Sequence, residues 1–524
     1  MPDYLTTYAA AMPTKIAVID DRPDGRVETY TWAELNDQAN RLGNVLISLG
    51  AGIGTTIVWC GQNSLGVVRF INAARKIGAT AVPLNYRLSD DEAAYVTDHC
   101  DASIVYVDAD YAPMFERVRH RLPHVNQFLV YGDTDAGAKV PEGMLDADAL
   151  VGHASPAEPE ISSDMQPGAT MIYTSGTTGK PKGALRRAAT DPGPAAALMA
   201  LIGYVPTDVY LTTGPLYHSG PGGFMGIAQA LGQTVVVQRK FDPVDWLRLV
   251  HTYRVTSTFS APTPIRMICN LPSEVKDNFD RSSMKRLIAN AAPWSFALKL
   301  LYLADFPEDS LFEVYGSTEL SVNCILLPKD QRRKPGSCGQ PAPYVEVKLF
   351  DDDGNEVTGF GPENTGELFV RSAAVFADYY KQHDKYLEDR RGDFQTVGDI
   401  AYRDDEGYIY ICDRKKDMII SGGMNIYPAE IEGILEQHAD VYEAAVFGVP
   451  SEEWGETVHA VIVRQPGSEL DETAIDAHAR SLLANYKIPR SISWAEELPK
   501  TGSGKILKRE LRAPYWAGRS SQVG

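Results

Sequence analysis

Thr174-Ser-Gly-Thr-Thr-Gly-Lys-Pro-Lys-Gly183 packs hydroxyls, glycines and two lysines into ten residues. That is the make-up of a phosphate cradle. Glycines let backbone N–H groups come close to an anion, hydroxyls donate further hydrogen bonds, and lysines offset charge. Thr174, Ser175, Thr177 and Thr178 supply the hydroxyls, Gly176 and Gly179 the close approach, and Lys182 part of the charge. A mobile Gly/Thr-rich surface loop is the plainer reading of any shorter fragment. A Walker A loop is excluded: two residues, not four, separate Gly176 from Gly179, and Pro181 follows Lys180.

A second constellation is Tyr315-Gly-Ser-Thr-Glu319. It holds an aromatic that can stack on adenine, Gly316 for close approach, Thr318 for a phosphate and one carboxylate, Glu319, for Mg²⁺. That ion takes one or two carboxylates and completes its shell with phosphates and water. Taken alone this stretch is equally a solvated turn. Pro499-Lys-Thr-Gly-Ser-Gly-Lys505-Ile-Leu-Lys508 surrounds one lysine with glycines, as a loop built to deliver it would.

The string YTSGTTGKPKG resembles the phosphate loop of the adenylate-forming superfamily: acyl-CoA synthetases, peptide-synthetase adenylation domains and firefly luciferase, with acyl-CoA synthetases nearest. Further segments of that family follow in its order over nearly the whole chain. Pro215-Leu-Tyr-His218-Ser resembles the segment that flanks the acyl pocket, and Ala291-Ala292-Pro293 the one that lies against adenine. The resemblance implies that Thr174 and Glu319 hold the metal, that Asp399 and Arg414 reach the ribose, and that Lys505 completes the site for adenylation. It places a hinge at Lys416 and a thiol tunnel along Ser421-Gly422-Gly423-Met-Asn425, with Trp454 either a CoA contact or a packing tryptophan. Two departures stand out: Val397 lengthens the segment ending in Asp399, and Asp413 stands where the family often has glycine.

The implied chemistry needs ATP, Mg²⁺ and coenzyme A. A carboxylic acid with a pKa near ~4–5 is already ionised at neutral pH, so no general base is needed. The obstacle is anion meeting anion, which positioning and electrostatics must overcome. The acyl pocket is expected along residues 217–224, 289–294, 314–316 and 321–326, which are mostly apolar or small. This implies a hydrophobic acid: a medium- or long-chain fatty acid, with aryl and sterol-derived acids open. A stand-alone ligase loading a carrier protein and a luciferase-like oxygenase are rivals on the same fold; a nucleotide-binding regulator without turnover is the rival of another class. No carboxylate lies within residues 215–224 to pair with an α-ammonium group, which weighs against an amino-acid substrate.

The elements that must position these residues follow from periodicity and caps. Residues 16–19, 56–60, 79–83 and 103–107 read as strands, and 31–49, 64–77 and 89–100 as helices. Thr31 and Ser89 sit at N-cap positions, with Glu34 and Glu92 three residues on, as a capping box requires. Strand–helix alternation predicts an α/β fold with largely parallel sheets. Residues 151–166 read as a surface connection. After about Asp413 a helix opening on Pro428, strands 444–449 and 457–464, and a helix near 471–484 make a smaller α+β unit. The expected division is a large domain of layered sheets with flanking helices, 1–415, and a small mobile lid, 416–524.

The chain has 524 residues and a formal charge of −19, which argues against nonspecific binding to nucleic acid or anionic lipid. Six scattered cysteines without paired spacing suit a reducing cytosol and give no zinc signature. With no signal-like N-terminus and no apolar run of membrane length, the expected location is the cytoplasm, and a homodimer stays open.

Overall fold

A computed structural model describes residues 3–132, 140–160, 168–174, 180–187, 191–292, 294–422, 424–500 and 506–517. The architecture is α/β, a large N-terminal part followed by a smaller C-terminal one. Strands form at Ile16–Asp21, Thr56–Cys60, Thr80–Leu84 and Ala102–Asp108, and helices at Trp32–Ser48, Leu65–Lys76 and Asp90–His99. Thr31 and Ser89 each close a capping box with the glutamate three residues on.

Two large sheets carry the first part. In one, counted over the described residues, nine strands run in the order Gln340–Pro341, Ser321–Leu326, Leu311–Ser317, Arg286–Ala289, Ser257–Ser260, Val209–Thr212, Thr234–Val237, Ile16–Asp21 and Val27–Thr31. The six from Leu311–Ser317 through Ile16–Asp21 are mutually parallel. The other has eight, with Thr56–Cys60 flanked in parallel by Thr80–Leu84 and Ala102–Asp108.

Alternate residues of one strand serve different cores. Ile57 and Trp59 join the cluster that also holds Val18, Val235 and Phe259 of the nine-stranded sheet and Leu35, Leu42 and Phe70 of the intervening helices. Val58 and Cys60 face the opposite side with Val96 and Phe115. Helices therefore lie between the two sheets and outside them, and the central strands are buried on both faces, as parallel strands usually are. The 151–160 stretch is less of a loose connection than expected. The Glu158 carboxylate takes hydrogen bonds from Lys76, Asn36 and Asn40, and a Cβ at Gly43 would lie 3.0 Å from Pro159, so the segment is strapped across helix Trp32–Ser48.

A third sheet, which the sequence pattern does not announce, runs antiparallel through Glu346–Phe350, Gly366–Arg371, Phe394–Arg403 and Ile409–Arg414. The last follows: Val441–Ser451 pairs Gly455–Arg464, with helices Pro428–Leu435 and Glu472–Leu482 packed on one face and Lys508–Trp516 on the other. Pro428 stands in the first turn of its helix, and Asp471 caps Glu472–Leu482. Arg266, from helix Pro262–Cys269, reaches over to pair Glu436 at 2.9 Å and to bond the Tyr442 carbonyl. Among the described residues no helix is long and apolar enough to cross a membrane.

Candidate active site

A cavity of about 1400 Å³ opens where parallel strands of both large sheets end. Val209–Thr212 hands on to Thr213 and Gly214, Ser257–Ser260 to Ala261, and Arg286–Ala289 to Asn290 and Ala291, all of which line it. Ala169–Thr174 contributes its last residue, and Tyr86 and Arg87 follow Thr80–Leu84. Space outside the carboxyl ends of parallel strands is where open α/β sheets take their ligands.

Thr174 stands directly opposite Lys182 in an antiparallel pair, so hydroxyl and amine lie side by side at the cavity wall. The Thr174 hydroxyl donates to Glu319 Oε1 at 3.0 Å, and the Tyr379 hydroxyl donates to the same oxygen at 3.2 Å. Burial and the Glu319 charge together push the Tyr379 phenol far above its ordinary range. Thr318 is fixed twice: its hydroxyl meets Ser219 at 2.8 Å, and its carbonyl accepts from the Arg186 guanidinium. Burial, with Lys385 close by, lowers the Lys182 pKa.

Asp399 and Arg414 are register partners on adjacent strands, and Arg414 Nε lies 3.3 Å from Asp399 Oδ1. The Tyr315 hydroxyl donates to Asp399 Oδ2 at 2.5 Å, so this buried carboxylate is held from two sides. Its neighbour Gly398 has φ +80° and lines the cavity with Val397, the extra residue noted in the sequence. Gly316 is demanded by its surroundings: a Cβ there would lie 2.0 Å from the Ser321 carbonyl oxygen. Two cavity residues, Ala291 (φ +74°) and Ser321 (φ +65°), hold left-handed backbone without being glycine. Such strain persists only where surrounding packing imposes it, and it gathers at functional sites. Ala292 follows in the same turn.

His218 precedes helix Ser219–Ala230, with its ring 4.4 Å from that of Tyr217. Its Nε2 is buried without a partner among the described residues. Burial, helped by the Arg87 guanidinium, pushes its pKa down to about 4, so the ring is neutral at physiological pH. The expected acyl walls are partly corrected. Gly220, Gly223, Phe224 and Val322 do line the cavity. Trp294 instead joins the core beneath helix Phe296–Asp305, where a large apolar ring buries more surface. The sequence reading missed Ile227, Phe259 and Met267, and it missed the polar share of the wall: Asn63, Arg87 and Lys240.

Lys416 also lines the cavity, in the turn between strands Ile409–Arg414 and Ile419–Ser421, and burial lowers its pKa. Asp413 accepts a hydrogen bond at 3.0 Å from the Ala429 backbone N–H, at the start of helix Pro428–Leu435. Burial raises its pKa, partly offset by Lys508. Gly422, at φ +56°, donates its N–H to the Trp454 carbonyl, and a Cβ on it would lie 2.7 Å from the indole. Trp454 itself is 52% exposed, so it packs on the glycine and leaves much of its ring free. Ser175, Gly176, Thr177, Thr178, Gly179, Pro293, Gly423 and Lys505 lie outside the described residues.

These groups suit a magnesium nucleotide. Among the described residues no cluster of three or more His, Cys, Asp or Glu side chains could hold a metal alone. One carboxylate beside a hydroxyl, as Glu319 and Thr174 provide, is a donor set for Mg²⁺ that arrives with phosphates.

Residues 5–380 match the family described as AMP-binding enzyme, and residues 430–505 match the AMP-binding enzyme C-terminal domain. An indoleacetate–CoA ligase of Aromatoleum aromaticum is 31% identical over 98% of this chain and 97% of its own. A long-chain-fatty-acid–CoA ligase of Mycobacterium tuberculosis is 30% identical over 98% of each. Among solved structures, an anthranilate CoA ligase in complex with anthranoyl-AMP superposes with a TM-score of 0.87 at 25% identity, covering 98% of this chain and 96% of that one.

Proposed function

The chain belongs to the AMP-binding enzyme family, and on that premise we propose that it is an ATP-dependent acid–thiol ligase. It activates a hydrophobic carboxylic acid as the acyl-adenylate and then forms the CoA thioester. In the first step a carboxylate oxygen bonds to the α-phosphorus of ATP, and the bond to the β-phosphate bridge breaks with pyrophosphate leaving. In the second, the CoA sulfur bonds to the acyl carbon, AMP leaves, and the thiol proton passes to solvent. Glu319 and Thr174 would hold Mg²⁺, which would offset the charge on the phosphates.

The observation that carries this reading is that one cavity joins two kinds of wall. Glu319, Thr174, Lys182 and Arg414 line one side, and Gly223, Phe224, Phe259 and Val322 line another. An acid seated on the second wall can present its carboxylate to a nucleotide seated on the first, which turns the encounter of two anions into a problem of placement. Asp399, fixed by Arg414 and Tyr315, is assigned to the ribose. Lys505 is assigned to the departing charge of the first step. Residues 1–415 and 416–524 are proposed as two domains turning about Lys416, so that the hairpin carrying Gly422 and Asn425 replaces Lys505 when the thiol enters. The cytoplasm is the proposed location.

The test is pyrophosphate release over a panel of acids, with and without CoA. Acid-dependent release, with AMP turnover accelerated by CoA, is the expected result. ATP binding without acid-dependent release would refute the ligase, and turnover that needs a carrier protein in place of CoA would move the acceptor.

A further inference from the structure

The cavity wall that carries Thr174 has a back side. Thr174, Lys182 and Tyr379 reach the cavity from three neighbouring strands of the eight-stranded sheet, Ala169–Thr174, Lys182–Arg187 and Asp378–Tyr379. Successive side chains along a strand point to opposite faces. Tyr173 and Tyr380, next in the chain to two of these residues, therefore turn away from the cavity and pack against the core of Val96, Phe115 and Met171.

There the three strands are tied to the end of one helix, Asp90–His99. His99 Nδ1 shares a hydrogen bond of 2.7 Å with the Tyr173 hydroxyl. Tyr95, four residues earlier on the same helical face, donates its hydroxyl at 3.3 Å to the carbonyl of Pro181, beside Lys182. Lys180 Nζ lies 5.0 Å from the centre of the Tyr95 ring. The Tyr380 ring meets His99 edge-on, and its hydroxyl donates to Asp101 at 2.6 Å. Lys381 bonds Asp101 at 2.8 Å and the His99 carbonyl at 3.1 Å.

Burial raises the Tyr173 pKa, and burial together with Lys381 lowers that of His99, so both groups are uncharged at neutral pH. Their bond fixes position and adds no charge to the site. Neither residue lines the cavity. One residue beyond Tyr173, Thr174 donates to Glu319 Oε1, and one residue before Tyr380, Tyr379 donates to the same oxygen. A shift behind the sheet would move both donors against that carboxylate.

We propose that His99 and Tyr173 are positioning residues for the magnesium nucleotide: their hydrogen bond, on the far side of the sheet, sets where Thr174 and Tyr379 meet Glu319. This rests on the ligase reading and adds to it two residues outside the cavity.

The experiment titrates MgATP calorimetrically on the full chain without acid, and measures kcat and KM for ATP by acid-dependent pyrophosphate release. The wild type is compared with His99→Phe, Tyr173→Phe, the double variant and His99→Asn. Each phenylalanine keeps a ring in the aromatic cluster and removes the hydrogen bond, whereas asparagine keeps a polar group near Nδ1. Both single phenylalanine variants are expected to raise the MgATP Kd and the KM for ATP by about three- to tenfold. The double variant should be no worse than the weaker-binding single, because the same bond is lost each time. His99→Asn should recover most of the loss. Thioester formation from supplied acyl-adenylate should change by less than about twofold, and Tm by less than about 4 °C, which a merely structural role would not give. Unchanged MgATP binding, additive losses in the double variant, or equal slowing of both half-reactions overturns the proposal and leaves the ligase standing. A wild type that releases no pyrophosphate with any acid overturns the ligase, and the MgATP titrations then still decide the positioning role.

Discussion

At the end of the cavity where Glu319 stands, side chains are tied to one another. Thr174 and Tyr379 bond the carboxylate, Arg186 and Ser219 fix Thr318, and Tyr315 and Arg414 hold Asp399. At the end lined by helix Ser219–Ala230 the wall is glycine, phenylalanine, isoleucine and an unpartnered imidazole nitrogen. The first end keeps charge in fixed places, as a reaction whose barrier is electrostatic requires. The second holds mostly shape. Substitutions should therefore act in two ways: those at the tied end should slow every acid alike, and those at the open end should reorder the acids.

The severest test of this contrast lies in the charges. Glu319→Gln is expected to lower adenylate formation by about 10²–10³-fold for all acids in a pyrophosphate-release assay. Lys505→Ala should match it, yet leave thioester formation from supplied acyl-adenylate largely intact. Equal loss in both half-reactions would break the two-conformation scheme. Next in size, Asp399→Asn removes a charged acceptor from Tyr315 and Arg414. A loss of about 1.5–3 kcal/mol in ATP binding, roughly 10–150-fold, is expected by titration calorimetry, with acid preference unchanged. A changed acid ranking would mean that the two ends are not independent.

Arg266→Ala should cost less. It breaks the pair with Glu436 and the bond to the Tyr442 carbonyl, a loss of about 1–2 kcal/mol. Rapid-quench measurement of each half-reaction should show the two rates changing unequally by about fivefold, uniformly across acids. The smallest effect concerns His218. Its pKa in the fold is depressed to about 4, so between pH 6.5 and 4 the unfolded chain takes up a proton that the fold refuses. Stability is full above pH 6.5 and falls as pH drops toward 4. Tm against pH should decline less steeply for His218→Phe than for the wild type over that window.

The tied end was the more legible in the sequence, because its chemistry restricts residue type. A hydroxyl-rich loop, one carboxylate after an aromatic and glycine, and an aspartate near an arginine can be found without coordinates. Sequence reading did not foresee that Asp399 and Arg414 would be cross-strand neighbours, since the antiparallel sheet that aligns them shows no clean alternation. Helices Trp32–Ser48 and Asp90–His99 were legible from capping boxes at Thr31 and Ser89, whereas helix Tyr4–Ala11 and strand Val27–Thr31 went unread. The open end was read only in part. Phe259 sits in a short buried strand, where any apolar residue serves; at the tied end, too, Arg186 and Tyr379 went unread because they reach the site through strand pairing alone. The left-handed Ala291 and Ser321 carry no local signal at all.

The hydrogen bond from Ala429 to Asp413 has a consequence for timing. Asp413 belongs to the third sheet and Ala429 to the helix beyond the turn at 415–418, and Lys508 faces the same carboxylate from the C-terminal helix. Burial opposes the charge on Lys508, but Glu432 and Asp413 outweigh it and hold its pKa up at about 12. Any wide swing of the trailing segment must unfasten Asp413 from the helix, and the Arg266 strut with it. In the proposed rotation that catch would be remade on each return, so its strength would govern cycling speed: tightening it would make a slower machine, and loosening it one that dwells less in the fastened posture.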